Sequence, residues 1–289
     1  IPWSFWYTQH GTCKLIFSTF FIKFLHQNVG TTISSLKFSF GTFATISQNK
    51  KNKVILENFE IEGGSEAIIE GIVFLGQLSI HNANVKILKS KIKNSISDDG
   101  LNIRNSNFQI SNTIFVNNKS DHLDLDFCHG ILENNLFEVD KRTNKLINVK
   151  DTSLNGDGID LSGSKVIIKN NTIINSGDKA ISVGEKSIVI IKNNNFEYNN
   201  IAIAIKDNSK TYIFDNEFNK NKLMFSMYIK KYFFDVPTLY LNKENYTREN
   251  IKSFNRKNDI QKGNIYFIEN KNKEEFYNNF IHDIKKTRI

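Results

Sequence analysis

The chain has 289 residues, of which 39% are hydrophobic, so it is long enough to bury a sizeable core in one large domain. Its formal net charge is +8, but Lys and Arg are scattered among Asn and Glu, which argues against nucleic acid as a partner. Cys13 and Cys128 lie far apart with no metal-ligand spacing around them, which argues against a disulfide framework and a zinc site.

The N-terminal part, residues 1–50, shows no repeat, and we expect it to form an irregular segment or cap. The apolar stretch CKLIFSTFFIKFL at 13–25 contains a run that is too short to span a bilayer, so it predicts a buried strand. Because the chain begins with Ile instead of Met, we expect the natural protein to extend further at this end.

From about residue 71 the sequence forms a repeat of short strands separated by Asn, Asp, Gly and Ser. The rows read DDGLNIRN at 98, SDHLDLDF at 120, GDGIDLSG at 156, DKAISVGE at 178, NIAIAIKD at 200 and KLMFSMYI at 222. Equivalent positions are 22 residues apart, except that Asp124 and Asp160 are 36 apart, and the 14 extra residues predict a loop pushed out of one coil. Such a period without a helical pattern predicts coils that stack around one continuous core.

Each row alternates aliphatic and polar residues, so the aliphatic ones are predicted to point inward and to stack from coil to coil. The inward pairs are Leu101 and Ile103, Leu123 and Leu125, Ile159 and Leu161, Ile181 and Val183, and Ile203 and Ile205. A second column marks a corner where Asn tolerates left-handed backbone angles: Asn112, Asn134, Asn170, Asn193 and Asp215. The fold class is therefore all-β, a single right-handed parallel β-helix over residues 51–241.

An open β-helix exposes unpaired strand edges at its ends, and these must be covered. Residues 242–289 are expected to form a polar extension that ends in such a cover. The segment KEEFYNNFIHDIKK places Phe276, Phe280, Ile281 and Ile284 at helical spacing, which predicts an amphipathic helix lying over the last coil.

Five motifs in order, DDGLNI, SDHLDLDF, GDGIDLSGS, GDKAISVGEKS and IAIAIKDNS, carry a resemblance that covers roughly residues 60–235. The chain resembles the right-handed β-helix repeat region of bacterial surface or secreted proteins, some of which join it to a CotH-type kinase-like domain. More broadly it is similar to the pectin-lyase-like superfamily. The resemblance implies an extracellular or cell-surface location. Because that superfamily includes polysaccharide lyases, glycoside hydrolases and uronate epimerases, it also implies a polysaccharide partner. No kinase signature is visible.

The polar positions of the first rows form an acidic face that is the candidate site. Paired carboxylates on neighbouring coils suit general acid and base chemistry, and the catalytic candidates are Asp124, Asp160, His122 and Lys179. Polar neighbours on the same face are the candidate substrate-binding residues: Asn102, Arg104, Asp126 and Ser182. Acids at the turn before the strands are candidate ligands of Ca²⁺, which bridges a uronate to the protein in lyase chemistry: Asp99, Asp121 and Asp157.

Two other interpretations remain open. Asp before Gly, as in DDG and GDG, is also ordinary turn chemistry, and outward acids also form solvated faces. The motifs depart from the enzyme patterns of the superfamily, because GDKA at 177–180 has no histidine and SDHLDLD lacks the proline of an epimerase-like DPHD motif. The chain is therefore expected to bind an extracellular polysaccharide through the acidic face or to act on it as a lyase-, hydrolase- or epimerase-like protein. The alternative is a non-catalytic spacer or adhesin-like module whose active domain lies outside this chain.

Overall fold

The structure is a computed structural model that describes residues 13–17, 35–37, 41–140, 156–246, 258–260, 262–269 and 273–286. Three long sheets run along the molecule, and the chain visits sheet 1, sheet 2 and sheet 3 once in each coil. Each strand pairs with its equivalents in the coils before and after it, and nearly all of these pairings are parallel. The fold is the all-β parallel β-helix that the repeat predicts.

Sheet 1 carries the acidic rows. Its ten strands, in spatial order, are Cys13–Phe17, Phe43–Ser47, Gly76–His81, Asp99–Arg104, Asp121–Asp126, Ile159–Ser162, Lys179–Gly184, Ile201–Lys206, Leu223–Tyr228 and Asn258–Ile260. Cys13–Phe17 is the exception to the parallel order, because it runs antiparallel to Phe43–Ser47. It thereby pairs the first edge of the sheet, which would otherwise be exposed.

Sheets 2 and 3 complete each coil. Sheet 2 has nine strands: Lys53–Glu57, Asn84–Leu88, Asn107–Ser111, His129–Glu133, Lys165–Lys169, Ile188–Lys192, Lys210–Phe214, Thr238–Asn242 and Asn264–Ile268. Sheet 3 has eight: Ser35–Lys37, Glu60–Glu62, Lys91–Lys93, Ile114–Val116, Leu136–Glu138, Thr172–Ile174, Asn195–Glu197 and Glu217–Asn219. A separate antiparallel hairpin joins Ala67–Ile69 to Ile72–Phe74.

The core is built from the predicted aliphatic ladders. The ten inward residues named from the rows, from Leu101 to Ile205, are all fully buried, and they pair in register from coil to coil. Burying one such side chain stabilises the fold by about 1.5–3 kcal/mol relative to leaving it exposed. Aromatic rings stack in the same way from sheet 3, with centroids 4.6 Å apart for Phe115 and Phe137.

The 22-residue period and its one interruption are both confirmed by the strand register. Asn102 pairs with Asp124, and Asp124 pairs with Asp160 in the next coil although 36 residues separate them. The extra residues lie between Leu136–Glu138 of sheet 3 and Ile159–Ser162 of sheet 1. Most of the predicted loop, residues 141–155, lies outside the described residues.

The predicted corner column has the backbone conformation that the sequence indicates. The φ angles are 52° at Asn112, 57° at Asn134, 56° at Asn170, 55° at Asn193 and 53° at Asp215. Left-handed angles cost little at Asn, which explains the repeated choice of this residue. Asp215 accepts a hydrogen bond from Nδ2 of Asn245 at 2.9 Å, but the side chains that bond from coil to coil in a continuous series belong to the residue that follows each of these positions.

From Asn134 onward, that following residue is an asparagine, and these asparagines form an amide ladder in the interior of the turn. The side-chain Nδ2 of Asn135 donates to Oδ1 of Asn171 at 2.9 Å, Asn171 donates likewise to Asn194 at 3.0 Å, and Asn194 to Asn216 at 2.9 Å. Each Oδ1 also accepts the backbone N–H of the preceding rung. The ladder therefore satisfies polar groups that the sharp turn would leave buried and unpaired.

The C-terminal helix, α1 (Lys273–Lys286), lies at the predicted position in the sequence but not at the predicted place in the fold. Its buried Phe280 and Ile284 pack on Ile167, Ile190 and Phe214, which face outward from sheet 2. The helix thus covers the side of the coils instead of lying over the last one. The physical reason is that sheet 2 offers an outward apolar stripe that an amphipathic helix can bury. None of the described helical residues forms a span long and apolar enough to cross a membrane.

The predicted domain boundaries at residues 50 and 241 stay predictions. Strands of the same sheets occur on both sides of them, with Phe43–Ser47 before the first and Asn264–Ile268 after the second. We propose on this ground that the β-helix includes at least one more strand at each end than the sequence predicts.

Candidate functional site

The candidate site is the outward side of sheet 1, where polar residues alternate with the buried ladders. The register places Asn102, Asp124, Asp160 and Ser182 in one row across four coils. Neighbouring strands of a sheet are about 4.8 Å apart, so these side chains are immediate neighbours. The structure therefore brings together four of the predicted residues in a single line, which we call the central row.

The central row begins with a hydrogen-bonded chain of three side chains. Nδ2 of Asn102 donates to Oδ2 of Asp124 at 2.8 Å, and Oδ1 of Asn102 lies 3.0 Å from Nε2 of His81. Since the Asn102 oxygen can only accept, His81 donates through Nε2. The imidazole stacks on Phe74, with ring centroids 5.2 Å apart. Burial lowers the pKa of His81, the bond to Asn102 opposes this, and the charge of Arg104 adds to it.

A second row, at the turn that precedes the strands, combines turn chemistry with charge. Oδ1 of Asp121 accepts the backbone N–H of Asp157 at 2.7 Å, and Oδ1 of Asp157 accepts the backbone N–H of Lys179 at 2.9 Å. Each acid therefore holds the turn of the next coil, as the turn interpretation expects. Nζ of Lys179 also lies 3.2 Å from Oδ1 of Asp157 and pairs with Asp178.

The two rows meet in a carboxylate cluster. One oxygen each of Asp121, Asp157 and Asp160 lies within 4.8 Å of the others. Oxygen ligands of Ca²⁺ sit about 2.3–2.6 Å from the ion, so ligands on opposite sides of it are about 5 Å apart. The three acids therefore fit a calcium ion, which would take its remaining ligands from water or from a bound molecule. We expected Asp99 to be a cation ligand together with Asp121 and Asp157. Asp160 completes the cluster instead, because Asp99 is buried on the preceding coil.

The acids destabilise one another's charged forms. Burial and the charge of Asp157 raise the pKa of Asp121, and burial with the charges of Asp126 and Asp160 raises that of Asp124. Burial also raises the pKa of Asp157 to about 6, although the charge of Lys179 opposes the shift. Crowded, partly desolvated carboxylates of this kind favour binding either a proton or a cation.

Two buried polar atoms beside the cluster have no hydrogen-bond partner among the described residues. Oδ2 of Asp99 belongs to the strand neighbour of Asp121, and Oγ of Ser182 belongs to the strand neighbour of Asp160. Asp99 is 3% exposed and Ser182 is 0% exposed. A buried polar atom without a partner is costly, so each of these two atoms is available to accept a hydrogen bond or to donate one beside the cluster.

Three cationic residues border the acids. Nζ of Lys206 lies 3.8 Å from Oδ1 of Asp160, and Nε of Arg104 lies 3.9 Å from Oδ2 of Asp126. Burial would lower the pKa of Lys179, but Asp157 and Asp178 outweigh it and raise that pKa. A lysine held in its charged form cannot accept a proton near neutral pH, so Lys179 is suited to neutralise charge and not to act as a base.

His122 is the predicted site residue that the structure places elsewhere. Strict alternation would put it outward with Asp124, but its imidazole lies inside the β-helix, 2% exposed, with Nδ1 2.9 Å from Nδ2 of Asn118. The equivalent positions one coil on either side, Gly100 and Gly158, leave room inside for the ring. The alternation fails here because the chain enters the strand from a turn. His122 therefore cannot act on a ligand at the outer face.

The structure adds three residues that the sequence analysis did not select. His81 is the strand neighbour of Arg104 and bonds to Asn102 of the central row, and Lys206 lies 3.8 Å from Asp160. Burial raises the pKa of Tyr228, the charge of Lys179 opposes the shift, and the charge of Asp178 adds to it. Each of them occupies an outward position in its row. The period of 22 residues could have identified Lys206 and Tyr228, since both follow Arg104 in the same column.

Comparison with known proteins identifies the family. The family described as "Right handed beta helix region" matches residues 138–289, more than half of the chain. The chain therefore belongs to the right-handed β-helix family, and the β-helix is right-handed as the sequence predicts. Among solved structures, the chain is similar to PfbA, a surface adhesin of Streptococcus pneumoniae, with 9% identity and a TM-score of 0.24. That alignment covers 78% of this chain and 81% of the other. The search of curated proteins found no match.

Proposed function

We propose that this protein binds an acidic polysaccharide along the outward side of sheet 1, with Ca²⁺ held by Asp121, Asp157 and Asp160 between the polymer and the protein. The observation that carries the proposal is the carboxylate cluster together with the two buried atoms beside it that have no partner among the described residues. Such a ligand implies an extracellular or cell-surface location, as the resemblance to bacterial surface proteins also does.

Binding is favoured over turnover by the positions of the predicted catalytic residues. His122 lies inside the β-helix, and Lys179 is held in its charged form by two carboxylates. Of the four predicted catalytic residues, Asp124 and Asp160 keep an outward position in adjacent strands. Asp160 also belongs to the carboxylate cluster, so a cation held there would occupy one member of the pair, which favours binding of a cation and hydroxyl groups over acid and base chemistry.

The test is a calorimetric titration with calcium, followed by binding assays with polygalacturonate, alginate and a neutral glucan. We expect calcium uptake and calcium-dependent binding of the two acidic polymers. The variant with both Asp124→Asn and Asp160→Asn is expected to lose at least about tenfold in calcium affinity. Its melting temperature should stay the same or rise, because the substitutions remove charges that repel one another.

The matched control is Glu217→Gln, which removes an exposed acid from sheet 3 and should leave calcium and polymer binding unchanged. Absence of calcium uptake by the unaltered chain would overturn the cation site. A large loss of stability in the double variant with unchanged binding would show that the acids are structural. Release of unsaturated or reducing-end sugar would identify an enzyme instead of a binding protein.

A further inference from the structure

The feature that the proposed site does not explain is a long loop at one edge of sheet 1, residues 229–237, which we call the aromatic loop. In the six coils before it, from Gly76–His81 to Lys210–Phe214, the connection from sheet 1 to sheet 2 has two or three residues. Between Leu223–Tyr228 and Thr238–Asn242 it has nine. The coil closes elsewhere with a short turn, so the extra residues are not needed for the fold.

Two aromatic side chains at the tip of the aromatic loop are largely exposed to solvent. Tyr232 is 94% exposed and Phe233 is 67% exposed, and their ring centroids lie 5.4 Å apart at an interplanar angle of 83°. Large apolar surface is normally covered in a folded protein, and two adjacent exposed rings are a characteristic of binding surfaces.

The tip is held in place by bonds at the base of the loop. Oδ1 of Asp207 accepts the backbone N–H of Lys230 at 2.7 Å and that of Lys231 at 2.9 Å. On the return side, the backbone N–H of Asn208 donates to the carbonyl of Asp235 at 2.7 Å. Rings on a loop that is already ordered lose little conformational freedom when they bind, which favours affinity.

The base of the loop is continuous with the acidic face. The side chain of Lys231 pairs with Glu185, and both charges act on the pKa of Asp126, which is raised chiefly by burial. Asp126 is the neighbour of Asp124 along the same strand, two residues away. A chain-like ligand that lies over the acids therefore passes the edge at which the loop projects.

We propose that Tyr232 and Phe233 form a stacking subsite for a sugar ring of the polysaccharide that lies on sheet 1. This inference rests on the proposed function. A sugar presents an apolar face of C–H groups, which packs on an aromatic ring, while its hydroxyl groups remain free to contact polar neighbours.

The local charges favour a sugar over an anionic lipid surface as the occupant. The ammonium of Lys231 is already paired with Glu185, and Asp235 adds an exposed carboxylate next to the tip. Membrane attachment by a short loop depends on unpaired basic residues beside the rings, because each ring alone contributes little. The loop also carries the exposed Lys230, but one lysine contributes only about 1 kcal/mol at an anionic membrane surface, so the loop is better suited to a polyhydroxylated ligand.

The experiment compares polymer binding by four variants with that of the unaltered chain, using polygalacturonate and alginate in the presence of calcium. Tyr232→Ala and Phe233→Ala are each expected to weaken binding about five- to tenfold, and Tyr232→Trp to retain it. The matched control is Tyr198→Ala, which removes a 43% exposed ring next to sheet 3 and should change nothing. Melting temperatures verify that all variants fold.

The outcomes separate this inference from the proposed function. If the Asp124→Asn and Asp160→Asn variant loses binding while Tyr232→Ala and Phe233→Ala retain it, the acidic site stands and the stacking subsite is wrong. If the unaltered chain binds neither polymer, both are wrong. Flotation with phosphatidylserine vesicles that requires Tyr232 would identify the loop as a membrane contact and would also overturn the inference.

Discussion

The imidazole of His122 is fully enclosed beside Phe137, and its Nε2 has no hydrogen-bond partner among the described residues. Burial lowers the pKa of His122 from 6.5 to about 4. The unfolded chain therefore takes up a proton at a higher pH than the folded chain does. The stability that neutral His122 contributes is present above pH 6.5 and is lost as the pH falls to about 4. The pKa difference corresponds to about 3 kcal/mol.

This prediction is tested by comparing the unaltered chain with His122→Gln, whose amide oxygen can accept the bond from Asn118. Between about pH 7 and pH 4, the free energy of unfolding should fall by about 3 kcal/mol more in the unaltered chain. The carboxylates titrate in the same range, but they are present in both proteins and cancel in the comparison. Parallel pH profiles in chemical denaturation would contradict the prediction.

The contribution of the carboxylate cluster to stability has the opposite pH dependence to that of His122, because it is lost as the pH rises. The pKa of Asp157 is raised from 3.8 to about 6, so its contribution to stability is present below 3.8 and is lost as the pH rises through about 6. A bound cation replaces the proton and restores that stability. We therefore expect calcium at about 100 times its Kd to raise the melting temperature by about 5 °C or more at about pH 7.5.

At about pH 5 the same calcium concentration should have almost no effect, because protons then occupy the cluster. Differential scanning calorimetry at the two pH values measures both shifts. Asp160→Asn should at least halve the calcium effect, since a tenfold loss of affinity leaves calcium at only about 10 times its Kd, and Glu217→Gln should preserve it. Equal stabilisation at both pH values would show that calcium binds somewhere other than these acids.

At the scale of single elements, the buried amide ladder is the feature whose loss should be most damaging. Asn171 is 1% exposed, and its side chain accepts the backbone N–H of Asn135 and donates to the carbonyls of Leu132 and Lys169. Asn171→Ala leaves these groups buried and unpaired, and we expect a loss of about 2–4 kcal/mol in the free energy of unfolding.

The comparison variant is Asn216→Ala at the last rung, where the side chain is only half-buried and water can replace the lost bonds. It should cost about 1 kcal/mol or less. Urea denaturation with both variants measures the difference. Equal losses at the two rungs would mean that the ladder contributes through local turn geometry and not through burial.

At the scale of the whole molecule, the sequence predicts whatever repeats and misses whatever departs from the repeat. The inward ladder from Leu101 to Ile205 and the left-handed corner from Asn112 to Asp215 follow from period and alternation alone. The strand Asn264–Ile268 was missed because 26 residues separate Tyr240 from Tyr266 and polar residues fill the interval. The place of α1 depends on the outward Ile167 and Ile190, which the sequence analysis did not distinguish from core residues.

For the candidate site, too, the sequence predicts the positions that repeat and misses those that depart from the repeat. The central row follows from the period, because Asn102, Asp124, Asp160 and Ser182 occupy equivalent positions. The inward orientation of the His122 side chain and the hydrogen bond from His81 to Asn102 do not follow from the period. Both depend on how the chain enters or leaves a strand. Burial and pKa shifts depend on side chains from several coils. The period identifies which positions are neighbours, but it does not give the distances between them or their exposure.

Since each coil contacts only its neighbours, stability should vary along the β-helix. In sheet 2, Lys165–Lys169 and Ile188–Lys192 each have three consecutive buried residues and a partner strand on both sides. Lys53–Glu57 and Asn264–Ile268 are the end strands of that sheet. Hydrogen exchange measured by mass spectrometry should therefore show protection at least about tenfold higher in the two central strands than in the end strands.

Asn171→Ala distinguishes a graded β-helix from a single cooperative unit. It should reduce protection most in the coils that contact Asn171, including Lys165–Lys169, while Asn264–Ile268, four strands away in sheet 2, exchanges as in the unaltered chain. The physical reason is that in a stack of repeats a lost bond weakens its own coil and the two interfaces beside it. A uniform drop in protection along the whole sheet would instead show that all coils open together, and the nearest-neighbour description would then be wrong.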